Sequence, residues 1–339
     1  MLSRTIGDYH FLADKDSGVT FRWGKTTMDN PSFAPVPELA DISISNRCSK
    51  GCDFCYRAST RNGALMTVED YCHVIDSMNH PIYGNVFQVA IGGGEPLEHP
   101  EFMTIIDETV KRGIIPNFTT NGRLLTENIL DAVKEKVGAL AVSVTDIQET
   151  ERLRNVLSHK HKTRVNLHYI LSEKTIDQAT DMLKGKYNQL LTGVNAIVFL
   201  TYKPAGRGNM KDVLKDGKNL QNFIGWTKCP NTICKIGFDA CFVPMLLKNT
   251  SGLNDFVDSC EGGFFSVYIN EQKEVSPCSF SNGKDSYSLD EFDFYDIWLQ
   301  KLQPFRDRQI NNCTADCKAR SMCRGACVYY PQITACYQG

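Results

Sequence analysis

Three cysteines fall within eight residues, Cys48-Ser49-Lys50-Gly51-Cys52-Asp53-Phe54-Cys55, with gaps of three and then two residues. Thiolates are metal ligands, and thiols set this close on one loop point to metal or redox chemistry. A structural zinc site closes around four ligands. Here the next cysteine is Cys72, on a helical pattern, so a zinc knuckle would have to borrow a remote ligand. A [4Fe–4S] cluster held by three thiolates instead leaves one iron open to a substrate or cofactor. A second chemical signal is Gly92-Gly93-Gly94-Glu95-Pro96-Leu97, whose glycines allow backbone to approach a ligand closely. Read alone it is also a plain turn. It lacks the Lys-Ser/Thr of a phosphate loop and the later glycine of a dinucleotide fingerprint.

The remaining cysteines are far away. Of fourteen in the chain, ten lie in the last third: Cys229, Cys234, Cys241, Cys260, Cys278, Cys313, Cys317, Cys323, Cys327 and Cys336. A disulfide framework would scatter its thiols through the whole fold, and a reducing cytosol does not sustain one. Two clusters flanking a nearly cysteine-free body predict two metal-bearing regions.

The chain around them has 339 residues, 42% hydrophobic and 22% charged, which is ordinary for a globular protein of about two domains. Thirty-seven basic residues against thirty-nine acidic ones leave a net charge of -2, which argues against a nucleic-acid or membrane-surface binder. No signal peptide and no apolar run of spanning length is present, so a cytoplasmic location is expected.

The elements that must position these residues alternate. Strands are expected at Leu39–Ser45, Val86–Ile91, Ile114–Thr119, Ala139–Val144, Arg164–Leu171 and Asn195–Tyr202, after an irregular first 38 residues. Helical patterns lie between them, at 67–78, 101–112, 126–136, 147–158 and 175–191, with Thr67 and Thr126 as N-caps. Such alternation implies parallel βα units, either in a partial barrel or in an open doubly wound sheet. In both, chemistry gathers beyond the C-terminal ends of the strands. The cysteine loop follows the first strand, the glycine run the second, Thr119-Thr120-Asn121-Gly122 the third, Ser143-Val144-Thr145 the fourth and Lys203-Pro204-Ala205-Gly206-Arg207-Gly208 the sixth. Every unusual loop therefore lies on one rim. Residues 209–228 read as a connecting segment. From Cys229 onward only a hairpin (Phe264–Ile269, returning through Val275) and a helix (Leu289–Leu302) are expected, so metal staples would have to support this part.

The cysteine loop and the glycine run together resemble the radical S-adenosylmethionine (SAM) enzymes. Their signature is Cys-x3-Cys-x-aromatic-Cys after the first strand, with Phe54 as the aromatic here, and their Gly-Gly-Glu reads Gly93-Gly94-Glu95. The resemblance implies an α/β fold with a partial (β/α)6 TIM-like barrel over 39–208. Cys48, Cys52 and Cys55 would hold a [4Fe–4S] cluster whose open iron chelates SAM, and Glu95 would meet the methionine ammonium. Thr120, Asn121, Ser143 and Arg154 match SAM-contacting positions on the same rim, though each residue also reads as a cap or turn. The family's Ser-Val-Asp is Ser143-Val144-Thr145 here.

Residues 229–339 resemble the SPASM extension, a loop-rich domain carrying two auxiliary [4Fe–4S] clusters. Its Cys-x2-Cys-x5-Cys-x3-Cys appears as Cys313-x3-Cys317-x5-Cys323-x3-Cys327, with one residue more in the first gap. Lys273 stands where the family's hairpin has a glycine, five residues before Cys278. The resemblance assigns Cys260, Cys278 and Cys327 to auxiliary cluster I, for which Cys241 is our own candidate fourth ligand. Cys313, Cys317, Cys323 and Cys336 go to auxiliary cluster II. Zinc is the alternative at either site, because four thiolates suit both. Cys72 reads as a core thiol, while Cys229 and Cys234 are left as candidate hydrogen-atom donors, further cluster ligands or inert thiols.

These resemblances imply reductive cleavage of SAM to a 5′-deoxyadenosyl radical and hydrogen abstraction from a substrate C–H bond. An electron donor such as flavodoxin or ferredoxin would serve it. The SPASM group implies a ribosomally made peptide substrate, modified or crosslinked. The family's usual leader-binding module needs about 80 residues, the size of a small domain. Only 38 precede the first strand, so leader binding is expected either to need a separate protein or to be absent. Ser279 stands where sulfatase maturases carry Asp, which argues against that activity. The alternatives are a radical epimerase or dehydrogenase, on a peptide or a small molecule, and a non-catalytic iron–sulfur electron carrier.

Overall fold

The computed structural model describes residues 1–158, 163–249, 257–281, 283–313, 317 and 323–334. The first 38 residues, expected to be irregular, hold three antiparallel strands: β1 (Leu2–Ile6), β2 (Tyr9–Ala13) and β3 (Thr20–Trp23). Six parallel strands follow, β4 (Leu39–Ser45), β5 (Gln88–Gly93), β6 (Ile115–Thr120), β7 (Ala139–Val144), β8 (Arg164–Leu171) and β9 (Ala196–Thr201), each within two residues of its expected start. A seventh, β10 (Lys235–Phe238), pairs in parallel with β9. The C-terminal hairpin, β11 (Ser266–Ile269) and β12 (Glu274–Ser276), does not stand apart. β11 pairs in parallel with β4, and β13 (Tyr287–Ser288) extends β12. The sheet order is β10-β9-β8-β7-β6-β5-β4-β11-β12-β13.

Helices cover the outer face. Thr67 caps the helix Val68–Ser77 by accepting from the Asp70 amide at 3.0 Å, and Thr126 caps Glu127–Val133. Along β8, Val165, Leu167, Tyr169 and Leu171 are buried against these helices, whereas Asn166, His168 and Ile170 face inward and stay part-exposed. Period-two geometry allows only one of His168 and Tyr169 to face the interior, and it is His168. Each buried aliphatic or aromatic side chain contributes roughly 1.5–3 kcal/mol, so the outer face fixes the register while the lumen remains open.

The N-terminal sheet packs Tyr9, Phe11 and Ala13 on Phe87, Phe264, Phe265 and Phe305. Phe87 precedes β5, and Arg164 at the start of β8 donates to the Asp16 carbonyl at 2.6 Å, so this sheet lies against the end where the barrel strands begin. Arg22 ties it in place through Glu38 at 2.8 Å and Glu261 at 2.6 Å. Trp298, fully buried, donates its indole N–H to the Ala34 carbonyl. No helix among the described residues is long and apolar enough to cross a membrane.

Candidate active site

β4 ends at Ser45 and the chain turns into the cysteine loop. Gly51, just before the second cysteine of Cys-Ser-Lys-Gly-Cys, has φ +66°, where a side chain would be strained. The Cys55 amide donates to the Cys52 carbonyl, and the Cys48 amide donates to the Thr60 carbonyl at 2.8 Å. The loop after β9 then clasps it. The Arg207 amide donates to the Cys55 carbonyl at 3.0 Å, its Nε to the Cys52 carbonyl at 2.8 Å and a terminal nitrogen to the Ser59 carbonyl at 2.9 Å. A Cβ on Gly206 would stand 2.4 Å from the carbonyl oxygens of Cys55 and Tyr56, so only glycine lets the two loops meet this closely.

The glycine run after β5 borders the same loop. A Cβ on Gly94 would stand 2.1 Å from the Arg47 carbonyl oxygen, and one on Gly93 2.2 Å from Ser43 Oγ. Glu95 is 1% exposed. Its carboxylate accepts from Thr120 Oγ1 at 2.6 Å, the Asn121 amide at 2.6 Å and the Leu97 amide at 3.1 Å. Burial pushes its pKa up, and these three donors offset part of the rise. Glu95 thus joins the rim loops of β5 and β6, with the Thr120 hydroxyl spent on it. Asn121 Nδ2 lies 3.9 Å from Cys48 Sγ. The Asn121 carbonyl accepts from Arg152 at 2.7 Å, and Arg152 pairs with Glu149 at 3.0 Å. Glu149 also pairs with Lys50, inside the cysteine loop, at 3.2 Å. Burial would raise the Glu149 pKa, but Thr145 and Lys50 hold it down at about 2.

Below the rim, the lumen carries Ser143, His168 and Asp41. Burial lowers His168 to about 4, only partly offset by Asp239, so its ring is neutral at pH 7. Burial raises Asp41 to about 7 against the pull of Arg57. Arg57 donates to Tyr268 and Glu271, and Ser43 donates to Glu271 at 2.9 Å.

A cavity of about 320 Å³ opens beside the lumen. Cys241, Cys260, Cys278 and Cys327, from four separate segments, all line it, together with Asp41, Lys203 and Asp239. Among the described residues no three His, Cys, Asp or Glu side chains converge as they would around one ion. The thiols instead border a space, and a four-iron cube spreads its ligands over corners rather than onto a point. The three thiols of the cysteine loop, with no fourth on that loop, likewise fit a cluster with one open iron better than a closed zinc site.

Residues 42–189 match the family model of the radical SAM superfamily. The chain carries a radical SAM domain. It is similar to the tungsten-containing aldehyde ferredoxin oxidoreductase cofactor-modifying protein of Pyrococcus furiosus, at 22% identity over 83% of this chain and 87% of that one. It is also similar to the antilisterial bacteriocin subtilosin biosynthesis protein AlbA of Bacillus subtilis, at 23% identity over 88% and 69%. Among solved structures, Streptococcus suis SuiB bound to precursor peptide SuiA superposes with a TM-score of 0.65 at 15% identity, over 87% of this chain and 72% of that one. These matches agree with the expected α/β partial barrel. A radical SAM domain implies SAM and a [4Fe–4S] cluster.

Around this radical SAM domain several expected residues fall elsewhere. Arg154 is 60% exposed and pairs with Glu151, and Arg152 reaches the rim in its place. The cause is local: residues 147–153 form a 3₁₀ helix, in which side chains three apart eclipse, aligning Arg152 with Glu149 and leaving Arg154 outside. Cys229 and Cys234 precede β10, and Cys229 is exposed. They lie at the end where the strands begin. Four residue steps at ~3.3 Å each separate Cys234 from the end of β10, on the order of 13 Å, which sets it away from the rim that carries the cysteine loop. Cys72 is half-buried and lies 3.7 Å from Glu108 on the outer helices. Phe54 packs with Tyr202 and Ala205 under the rim. Cys313, Cys317 and Cys323 lie among the described residues and Cys336 outside them. Sequence reading missed Arg152 and Arg207. Arg207 stood in a loop singled out for its chemistry, but a lone arginine there gives no separate signal.

Proposed function

We propose that this protein binds SAM on a [4Fe–4S] cluster held by Cys48, Cys52 and Cys55, cleaves it reductively, and uses the 5′-deoxyadenosyl radical to modify or crosslink a ribosomally made peptide. The observation that carries this reading is the convergence of the loops after β4, β5, β6 and β9 on the three thiols. That convergence leaves an open lumen beneath them. Gly93 and Gly94 would offer backbone to SAM, while Asn121 and Ser143 line its surroundings and Glu95 holds the rim in register. A closed site of this kind protects a radical from quenching, and positioning selects the hydrogen removed. A peptide substrate is supported by the likeness to a bacteriocin biosynthesis protein and to a structure bound to a precursor peptide. Cys241, Cys260, Cys278 and Cys327 would hold one auxiliary cluster, and Cys313, Cys317, Cys323 and Cys336 a second.

A small-molecule substrate is the second reading. It is favoured by the likeness to a cofactor-modifying protein and to an AdoMet-dependent heme synthase of Methanosarcina barkeri. Anaerobic reconstitution, iron counting and assay of 5′-deoxyadenosine with SAM and dithionite test the proposal. About twelve irons per chain and deoxyadenosine formation are expected, with deoxyadenosine abolished by Cys52→Ala. Full iron without deoxyadenosine, even with a candidate peptide present, would leave an electron carrier.

A further inference from the structure

The loop after β9 contains a charge that the active site does not use. Lys203 is a fully interior lysine, with 4% of its side chain exposed. Its ammonium donates to the Thr201 carbonyl at 3.0 Å and to Asp239 at 2.8 Å, and lies 4.4 Å from the centre of the Phe280 ring. Burying an ammonium this deeply costs several kcal/mol, and breaking such a pair leaves an uncompensated charge. A methionine would fill the same space without that cost. What distinguishes the position is its neighbourhood, since Lys203 lines the same cavity as Cys241, Cys260, Cys278 and Cys327.

We propose that Lys203 sets the reduction potential of the cluster these four cysteines would hold, by fixing a positive charge in the wall of its cavity. The inference rests on the reading of those cysteines as ligands. A cube with four thiolates is an anion that gains one more negative charge on reduction. A cation in a low-dielectric wall therefore favours the reduced state, while an anion disfavours it. Lys203 and Asp239 carry opposite charges but are not equivalent. The Lys203 ammonium lies over the Phe280 ring, which lines the cavity two residues beyond Cys278. Asp239, just past β10, also accepts from Thr201 Oγ1 at the end of β9, at 2.6 Å. On the far side of the cavity, Glu261 is neutralised by Arg22 at 2.6 Å, and Arg324 donates to the Cys260 carbonyl at 2.6 Å. That leaves the Lys203–Asp239 pair and Asp41 as the other charged groups of the cavity wall.

The test is a redox titration followed by electron paramagnetic resonance in a Cys48→Ala/Cys52→Ala/Cys55→Ala background, where only auxiliary clusters remain. Lys203→Met is expected to make reduction at least tenfold less favourable, a fall of about 59 mV for one electron. Asp239→Asn is expected to move the potential the opposite way, and Lys203→Arg to hold it near the parent value. A merely structural role would not produce shifts of opposite sign. Iron content separates the two layers of the argument. If Cys278→Ser holds as much iron as its parent, the ligand assignment falls. If Cys278→Ser loses iron but Lys203→Met and Asp239→Asn shift the potential together or not at all, the assignment stands and the role of Lys203 is refuted.

Discussion

At the residue scale, Asp41 shows how placement alone changes a side chain. It faces the lumen from β4 and lines the cavity beside Lys203. Its pKa is pushed up to about 7 by burial. A carboxyl raised on folding favours the folded state while protonated. Its stabilising contribution is therefore complete below the unfolded value of about 4 and is lost as pH rises through about 7. Asp41→Asn should raise the unfolding free energy, read from urea titrations, more at pH 8 than at pH 5, by on the order of 1–3 kcal/mol after allowing for solvent access. An equal effect at both pH values would mean the carboxyl is already ionised at pH 5. Residue chemistry was also the most legible layer of the sequence. The three thiols of the cysteine loop and Gly93-Gly94-Glu95 declared themselves by spacing, because each needs its neighbours at fixed offsets. Arg152 did not, because its role depends on a 3₁₀ helix whose phase the sequence does not display.

At the element scale, the barrel strands were legible because β4 to β9 bury one face under helices and must alternate strictly. β10 was not. It has four residues, one of them Gly237, and owes its conformation to pairing with β9. The N-terminal strands were missed for a related reason: they are short, and their core is completed by phenylalanines some 250 residues away. Lys273 shows the backbone holding a shape without the residue that suits it. At φ +62° it turns the β11–β12 hairpin where the related hairpins have glycine, and its ammonium is anchored by Asp70 and Asp290. The loop after β9 carries the functional consequence at this scale. Arg207→Met removes two charged donors from the carbonyls of Cys52 and Ser59 while keeping the backbone bond to Cys55. Each such bond contributes ~1.5–3 kcal/mol, so the cysteine loop should release iron to a chelator about tenfold faster or more. Unchanged release would mean the loop is held by its own turns.

At the scale of the whole molecule, three segments distant in sequence meet at one end of the barrel. Phe11 is 1% exposed and meets Phe87 edge to face at 5.9 Å. Phe11→Ala should cost roughly 3–5 kcal/mol, read from denaturant unfolding, and early proteolysis should fall within residues 1–24. A loss below about 1 kcal/mol would mean the N-terminal sheet folds without the barrel beneath it. The ion pair between Arg22 and Glu261 spans nearly the whole chain, as do the contacts of Phe11 and its neighbours with Phe264, Phe265 and Phe305. Such contacts form late, because a long loop must close before they repay its entropy. During synthesis, β1 to β3 can meet only part of their core, Phe87, until Phe264, Phe265 and Phe305 have emerged. This sheet is therefore among the last parts of the molecule to settle. Until then its apolar side chains are exposed to chaperones and to aggregation, so the yield of folded protein should depend on the rate of translation as well as on iron supply.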